Sequence, residues 1–517
     1  MSQEPVSSNR RIAKNTAILY FRMLFVLFVS LFTTRIVIHS LGNTDYGLYN
    51  VVAGVMVMFA FLNGSLSEST TRFLTYELGR DDSRKLSEVF AHSFHIHAGL
   101  AFLVFVVAEV IGVWAVNYVL NIPPERLFAC NVAFQMVILG SVLAITQTPL
   151  NALVVAHERM GIYAYTSIFA VLARCLIAYA VMVTPYDRLV TYAFLEFLIG
   201  LLNYGVYWGY CRLKFPDVCR LRMTKNRSLI NSMLGFSTWN LLGSLVWVLR
   251  NYGVNVLINI FFGPIANAAN AIAMSINNTV TGFTNNFMTA MNPQIIKSYA
   301  AGESARLKTL VFKGGKFSFY LLVLLCYPLI FETRFLLRLW LDEAPDYTII
   351  FSRLILATTM LEVFNHPVQV AVGATGQIKW YQIVICTFYL IGFPLAFFAY
   401  SLGAPPYSVY VLYLMLSFFA VTARLYFIEH LLHISAQEYL FSVMGRCALV
   451  ALLALGVPLI FDSLLADSFP RFVFMCLICT LSSSVIIYSL GMDNTERSFV
   501  KNAIQRIFSR WIKTNRA

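Results

Sequence analysis

The sequence predicts an all-α integral membrane protein of about fourteen transmembrane helices. Three observations lead there. Only 12% of the 517 residues are charged, against roughly 25% in an ordinary soluble domain. The mean hydropathy is +0.70. The apolar residues fall in runs of about 20 or more, the length that crosses a hydrocarbon core of about 30 Å at 1.5 Å per residue. Strands of a transmembrane barrel would alternate over about 10 residues, so a barrel is excluded.

Taken in order, the runs place six spans near 15–39, 46–66, 93–120, 129–156, 162–184 and 189–211, and six more near 231–260, 265–291, 314–338, 348–372, 380–400 and 407–429. A last pair lies near 441–461 and 471–491. No cleavable leader is expected: Arg22 interrupts the first apolar stretch, Arg35 stands near its end, and no small-residue cleavage site follows. With the amino terminus inside, about 26 Lys and Arg fall in cytoplasmic segments and about four outside, which sets the orientation with both termini cytoplasmic. The formal charge of +13 is then concentrated on one face, where it suits anionic lipid headgroups rather than nucleic acid.

Residues 1–213 and 214–430 read as two six-helix lobes, because the chain repeats itself. YELGRDDSRKLSEVF after span two matches YAAGESARLKTLVF after span eight, aligning Tyr76 with Tyr299 and Arg84 with Arg306. PLNALVVAHERMGIY matches PVQVAVGATGQIKWY, aligning Pro149 with Pro367 and Tyr163 with Tyr381. An even number of spans per repeat gives both lobes one topology, as in transporters whose halves rock about a shared substrate site. Residues 431–491 form the extra helix pair outside the repeat. In 492–517, Val500, Ile504, Ile507, Phe508 and Trp511 share one helical face among basic residues, the pattern of a helix lying on the inner membrane surface.

The sequence carries little catalytic chemistry. Gly314-Gly315-Lys316 lacks the spacing and the Ser or Thr of a phosphate loop, so no ATP engine is encoded. His157-Glu158 does not continue into a zinc-protease signature. His92, His95 and His97 have no acidic or Cys partner nearby, and the nine cysteines, including Cys476 and Cys479 inside the last span, form no disulfide framework. No cofactor, no metal and no enzymatic activity are expected. The longest external loops, near 121–128, 339–347 and 462–470, are too short for the catalytic loop of a polysaccharide polymerase or ligase.

Ionisable residues deep in spans mark the functional candidates. Each costs roughly 2.5–3.5 kcal/mol at the bilayer centre even on insertion scales, which implies a wet cavity or internal pairing. They include Arg22, Glu109, Arg174, Glu196, Arg250, Arg353 and Glu362. Arg22 and Arg250 are the expected grip on an anion. Arg174, Arg353 and Glu362 are secondary cavity positions, with pairing inside the first lobe the simpler account of Arg174, Glu109 and Glu196. Asn251, Asn255 and Asn259 recur every four residues on span seven, and Asn270, Asn277, Thr281 and Asn285 continue the theme on span eight. Such a ladder serves helix-to-helix hydrogen bonding, or it offers donors and acceptors to sugar hydroxyls.

RIVIHSLGNTDYGLYNVVAGV, NGSLSESTTRF, NPQIIKSYAAGE and ATGQIKWYQIV resemble the polysaccharide flippases of the multidrug, oligosaccharidyl-lipid and polysaccharide exporter superfamily. The resemblance covers most of the first twelve spans. It implies a MATE-like fold of two six-helix bundles and alternating access. It also implies export of an undecaprenyl-pyrophosphate-linked oligosaccharide (an O-antigen or capsule-type repeat unit) across a bacterial inner membrane, alongside other polysaccharide assembly proteins. In that family spans one, two, seven and eight line the cavity, and here they carry Arg22, Arg250 and the Asn ladders. Spans thirteen and fourteen resemble those of fourteen-span lipid-linked precursor flippases. The rival expectation is a cation-coupled multidrug exporter of the same fold, whose cavity would favour acidic and aromatic walls.

Overall fold

The structure is a computed structural model that describes residues 4–57, 60–118, 120, 122–220, 226–341, 345–462, 468–498, 500–501 and 505. The apolar runs form helices throughout, and no strand occurs among the described residues. Up to residue 214 the helices are α1 (Glu4–Val57), α2 (Ala60–Gly79), α3 (Ser83–Val107), α4 (Val113–Tyr118), α5 (Leu127–Ala156), α6 (Met160–Val183) and α7 (Arg188–Lys214). From residue 227 to 432 they are α8 (Arg227–Ala300), α9 (Ser304–Phe331), α10 (Thr333–Leu341), α11 (Thr348–Glu362), α12 (Asn365–Thr375), α13 (Lys379–Ser401) and α14 (Ser408–Leu432). The last pair is built from α15 (Ala436–Tyr439), α16 (Arg446–Asp462) and α17 (Phe469–Ile486). The tail stripe from Ile504 to Trp511 lies outside the described residues.

Eleven described helical segments are long and apolar enough to cross a membrane, or twelve if α11 and α12, bent by 41°, count as one. Helix length accounts for the rest. The 74 residues of α8 would measure roughly 110 Å as one rod, over three times a hydrocarbon core. Gly263 breaks it with φ 77, and Gly42 breaks α1 in the same way with φ 79. Each of these helices is therefore two crossings, the second arm of α1 continuing into α2. The chain is a multi-pass membrane protein whose architecture accommodates fourteen spans.

Backbone geometry repeats along with the sequence. Left-handed residues recur at matching places: Gly42 and Gly263 in the breaks, Asp81 and Gly302 after α2 and α8, and Glu158 and Gly376 after α5 and α12. Their separations of about 220 residues match the duplication. The repeats differ at their shared proline. Pro149 stands inside an unbroken α5, whereas α11 ends just before Pro367, whose ring excludes the carbonyl four residues back, at Val363.

The chain divides into two compact units. The first holds residues 1–245, 289–307 and 373–382, with a core of small and branched side chains such as Ala101, Val104, Ala133 and Ile138 packed around Phe134. Small residues let helix backbones approach closely where no hydrophobic effect draws helices together. At one end of this unit Arg126 bridges Asp45 and Asp187, the latter at 2.5 Å. Burial works against ionising Asp187, but hydrogen bonds from Arg126 and the Val190 amide outweigh it and hold the carboxyl below its ordinary value.

The second unit holds residues 246–288, 308–372 and 383–517. Its core joins Leu257 and Ile258 of α8 to Phe351, Ala396, Tyr410 and Tyr413. Here the terminal pair is anchored. Lys316, 5% exposed, donates to Asp493 at 2.9 Å and Glu496 at 3.0 Å. Tyr320 donates to the Gly491 carbonyl, and Tyr327 to that of Ala451. Burial opposes charge on Asp493, yet the bonds from Lys316 and Arg446 lower its carboxyl overall. Outward faces are apolar, with Phe102 69% and Leu452 69% exposed, as lipid contact requires.

Candidate functional site

A cavity of about 360 Å³ opens inside the second unit. Polar residues of α8, α11 and α14 line it, in a segment whose helix faces elsewhere are apolar. The α8 arm after Leu245 contributes Trp247, Arg250 and Asn251 before the Gly263 break, and Asn270, Asn277, Asn278, Thr281, Thr284 and Asn285 after it. Thr358, Thr359 and Glu362 come from α11, one helical turn apart, and Tyr410 and Tyr413 from α14.

Arg250 and Glu362 hold the centre of the charge balance. Arg250 Nη1 donates to Glu362 Oε1 at 2.8 Å, and the same oxygen accepts from Ser417 at 2.5 Å and Tyr389 at 3.1 Å. The guanidinium lies 4.7 Å from the ring centres of both Tyr389 and Tyr413, so cation–π attraction adds to the ion pair. Each charge thus has its compensation inside the bundle, which answers the cost of burying it. The amides are ordered as well. Asn270 donates to Asn255 at 2.5 Å and accepts from Tyr410, while Thr359 donates to Asn277 at 2.6 Å. The Tyr413 hydroxyl is buried with no hydrogen-bond partner among the described residues.

Of the residues read from the sequence, the cavity gathers Arg250, Asn251, Asn270, Asn277, Thr281, Asn285 and Glu362, with Asn255 one hydrogen bond behind Asn270. Asn259 is exposed and Arg353 donates to the Ile330 carbonyl at 2.9 Å; neither lines it. Arg22 belongs to the first unit, 4.7 Å from the Tyr163 ring centre, in a separate recess of about 610 Å³ that it shares with Arg174. There Arg174 pairs with Glu196 at 3.1 Å, and Glu109 accepts from Gln135 in the helix beside it. Sequence reasoning missed Thr358 and Thr359, although Thr358 lies four residues before Glu362 on one helical face. It also missed Tyr389, Tyr413 and Ser417, whose roles depend on contacts between distant segments.

No family model matches the chain, and no curated protein matches it in sequence. Solved structures do match it in three dimensions. A MATE in complex with MaD3S superposes with a TM-score of 0.71 at 12% identity, over 83% of this chain and 97% of that one. An outward-facing multidrug resistance MATE family transporter of the MOP superfamily gives 0.67 at 13%, over 81% and 96%. The chain has the MATE transporter fold. A third protein with this MATE fold, a MOP superfamily transporter from Pyrococcus furiosus, matches at 0.66 and 11% over 83% and 96%. It is described as having a binding pocket of reverse polarity that suggests a different function. Identities this low carry the fold and not the cargo, which the cavity must argue for itself.

Proposed function

We propose that this chain is a transporter that moves an undecaprenyl-pyrophosphate-linked oligosaccharide across a bacterial inner membrane by alternating access. The amide and hydroxyl wall of the α8 cavity carries this reading. Sugar hydroxyls both donate and accept, and Asn and Thr side chains answer both needs without imposing charge. Because Glu362 already compensates Arg250, the glycan is the portion of the substrate that the wall suits. Arg250 engages the diphosphate only by exchanging Glu362 for it, which couples anion arrival to release of an internal bond. The planar guanidinium fits phosphate oxygens bidentately, and Arg22 beside Arg174 offers a second cationic position. Outward movement of the anion runs with an inside-negative potential, worth roughly 2.3 kcal/mol per charge per 100 mV, so no ATP engine is needed.

A second reading, cation-coupled multidrug export, draws equal support from the structural likeness. Trp247, Tyr410, Tyr413 and Glu362 favour it, since aromatic faces and a carboxylate attract organic cations. Reconstitution separates the two. Proteoliposomes holding the full chain should bring a fluorescent lipid-linked oligosaccharide within reach of an external lectin while leaving ethidium efflux at the rate of empty vesicles. Ethidium efflux without glycan movement would establish the second reading instead.

A further inference from the structure

The duplicated loops after α5 and α12 are built alike and partnered differently. In each, one residue is left-handed, Glu158 with φ 60 and Gly376 with φ 80. Each loop is also reached by a cation from near the end of a helix in the opposite repeat. Lys297 of α8 donates to Glu158 at 2.6 Å, and Arg72 of α2 donates to the Ala374 carbonyl at 2.7 Å. The first cation finds a carboxylate, 2% exposed and further bonded by Gln294 at 2.6 Å. The second finds one backbone oxygen, because a glycine stands where the repeat would place the acid.

Arg72 therefore meets no carboxylate among the described residues; its guanidinium lies instead 4.5 Å, 4.9 Å and 5.5 Å from the ring centres of Phe73, Tyr76 and Phe236. Its Nε is buried without a partner, and Glu77 acts on it only through the field, with no ion pair between them among the described residues. Lys379, the first residue of α13, is likewise in no ion pair among the described residues; its ammonium lies 5.7 Å from the Trp239 ring and 5.5 Å from that of Trp380. Both cations line a recess of about 460 Å³ in the first unit together with Asn231, Ser232 and Gln377, and no carboxylate lines it among the described residues. The half-buried Arg72 and the exposed Lys379 thus turn two positive charges toward one concave site, which an anion would complete.

We propose that this recess binds a phosphate group carried on a lipid, held by the Arg72 fork, the Lys379 ammonium and the Asn231 amide. A guanidinium and an ammonium converging on one space match a tetrahedral oxyanion. Tryptophans beside a lysine mark the headgroup level of a bilayer. Gly376 keeps the approach open, since a Cβ there would stand 3.0 Å from Arg72 Nη2. The site is separate from the α8 cavity and does not depend on which cargo that cavity takes. Two sources share the chemistry, the phosphodiester of an anionic phospholipid and the diphosphate of a prenyl-linked lipid.

Lys379 itself reports occupancy. The full chain in maltoside micelles is treated with a water-soluble acetylating ester, and acetylation of Lys379 and of the exposed Lys214 is followed by peptide mass spectrometry. The probes are phosphatidylglycerol, farnesyl diphosphate and, as the phosphate-free comparison, diacylglycerol. At about ten times its Kd a bound phosphate leaves roughly one site in ten open, so Lys379 should acetylate about tenfold more slowly while Lys214 is unchanged. Protection by phosphatidylglycerol alone assigns a phospholipid, protection by farnesyl diphosphate alone assigns the prenyl carrier, and either supports the site. Arg72→Gln should abolish protection. Asn231→Asp, which breaks no hydrogen bond described here and sets a carboxylate into the recess, should abolish it too. Unchanged Lys379 acetylation with both phosphate probes overturns the proposal, as does equal protection by diacylglycerol or protection that survives in both variants.

Discussion

Removing both halves of the Arg250–Glu362 pair should cost less than the two single removals added together. Glu362→Gln keeps the shape and takes away the charge, leaving a guanidinium whose remaining described partners are the Tyr389 and Tyr413 rings. Glu362 Oε1 accepts from Arg250, Ser417 and Tyr389, so the substitution weakens three bonds to a charged acceptor. Breaking a buried pair from one side costs about 3–5 kcal/mol. Arg250→Gln should cost a similar amount by stranding the carboxylate. With both changed, neither charge is left alone, and the double variant should be more stable than the sum of the single losses implies by about 2 kcal/mol, roughly thirtyfold in the unfolding equilibrium. Reversible unfolding in mixed micelles of increasing dodecyl sulfate measures all four proteins. Losses that add to within about 0.5 kcal/mol would refute the reasoning, because uncoupled residues cannot be each other's compensation.

Three further outcomes follow from the same geometry. Arg126→Gln should destabilise the first unit by roughly 1–2 kcal/mol, a figure reduced for the partial exposure of Asp187. Because the folded Asp187 carboxyl is held low, its share of that stability is present above the ordinary carboxylate range and disappears as pH falls through the folded value, so thermal midpoints of wild type and variant should converge in acid. Gly263→Ala should cost about 1–2 kcal/mol through left-handed strain alone, since nothing lies within 4 Å of the added carbon; a neutral outcome in the unfolding midpoint would show that the break is not enforced by this residue. Cys219, its thiol pushed up by burial to about 11, should react with an impermeant maleimide only from the cytoplasmic side, and about tenfold faster per unit of rising pH in the alkaline range. Labelling of intact cells from outside would reverse the orientation.

The helices were legible because bilayer length and apolar composition constrain them together. Fourteen runs such as 129–156 announced themselves without partners. Tyr76 with Tyr299 and Pro149 with Pro367 led to the expected duplication, whereas the left-handed pairs Gly42 with Gly263 and Glu158 with Gly376 were not legible, since in the second pair the residue type changes while the backbone does not. The Asn ladder pointed to α8 because period alone places Asn277, Thr281 and Asn285 on one face. What the ladder faces could not be read. The partner of Arg250 is 112 residues away, and no local pattern shows that Glu362 faces the cavity while Arg353, on the same helix, turns to the Ile330 carbonyl. The anchoring of the last two spans through Lys316 was hidden for the same reason: Asp493 is 177 residues distant.

The central claim, that the amide-lined cavity handles a lipid-linked glycan, is tested most directly by flipping in proteoliposomes of uniform orientation. Wild-type protein should bring a fluorescent undecaprenyl-pyrophosphate oligosaccharide to the outer leaflet, where an added lectin captures it. Asn277→Leu, which removes an amide from the wall and a partner from Thr359, should slow capture about tenfold or more, the loss of roughly 1.4 kcal/mol expected for a polar contact left unmade. Capture by wild type at the rate of protein-free vesicles, or by Asn277→Leu at the full wild-type rate, would contradict the account.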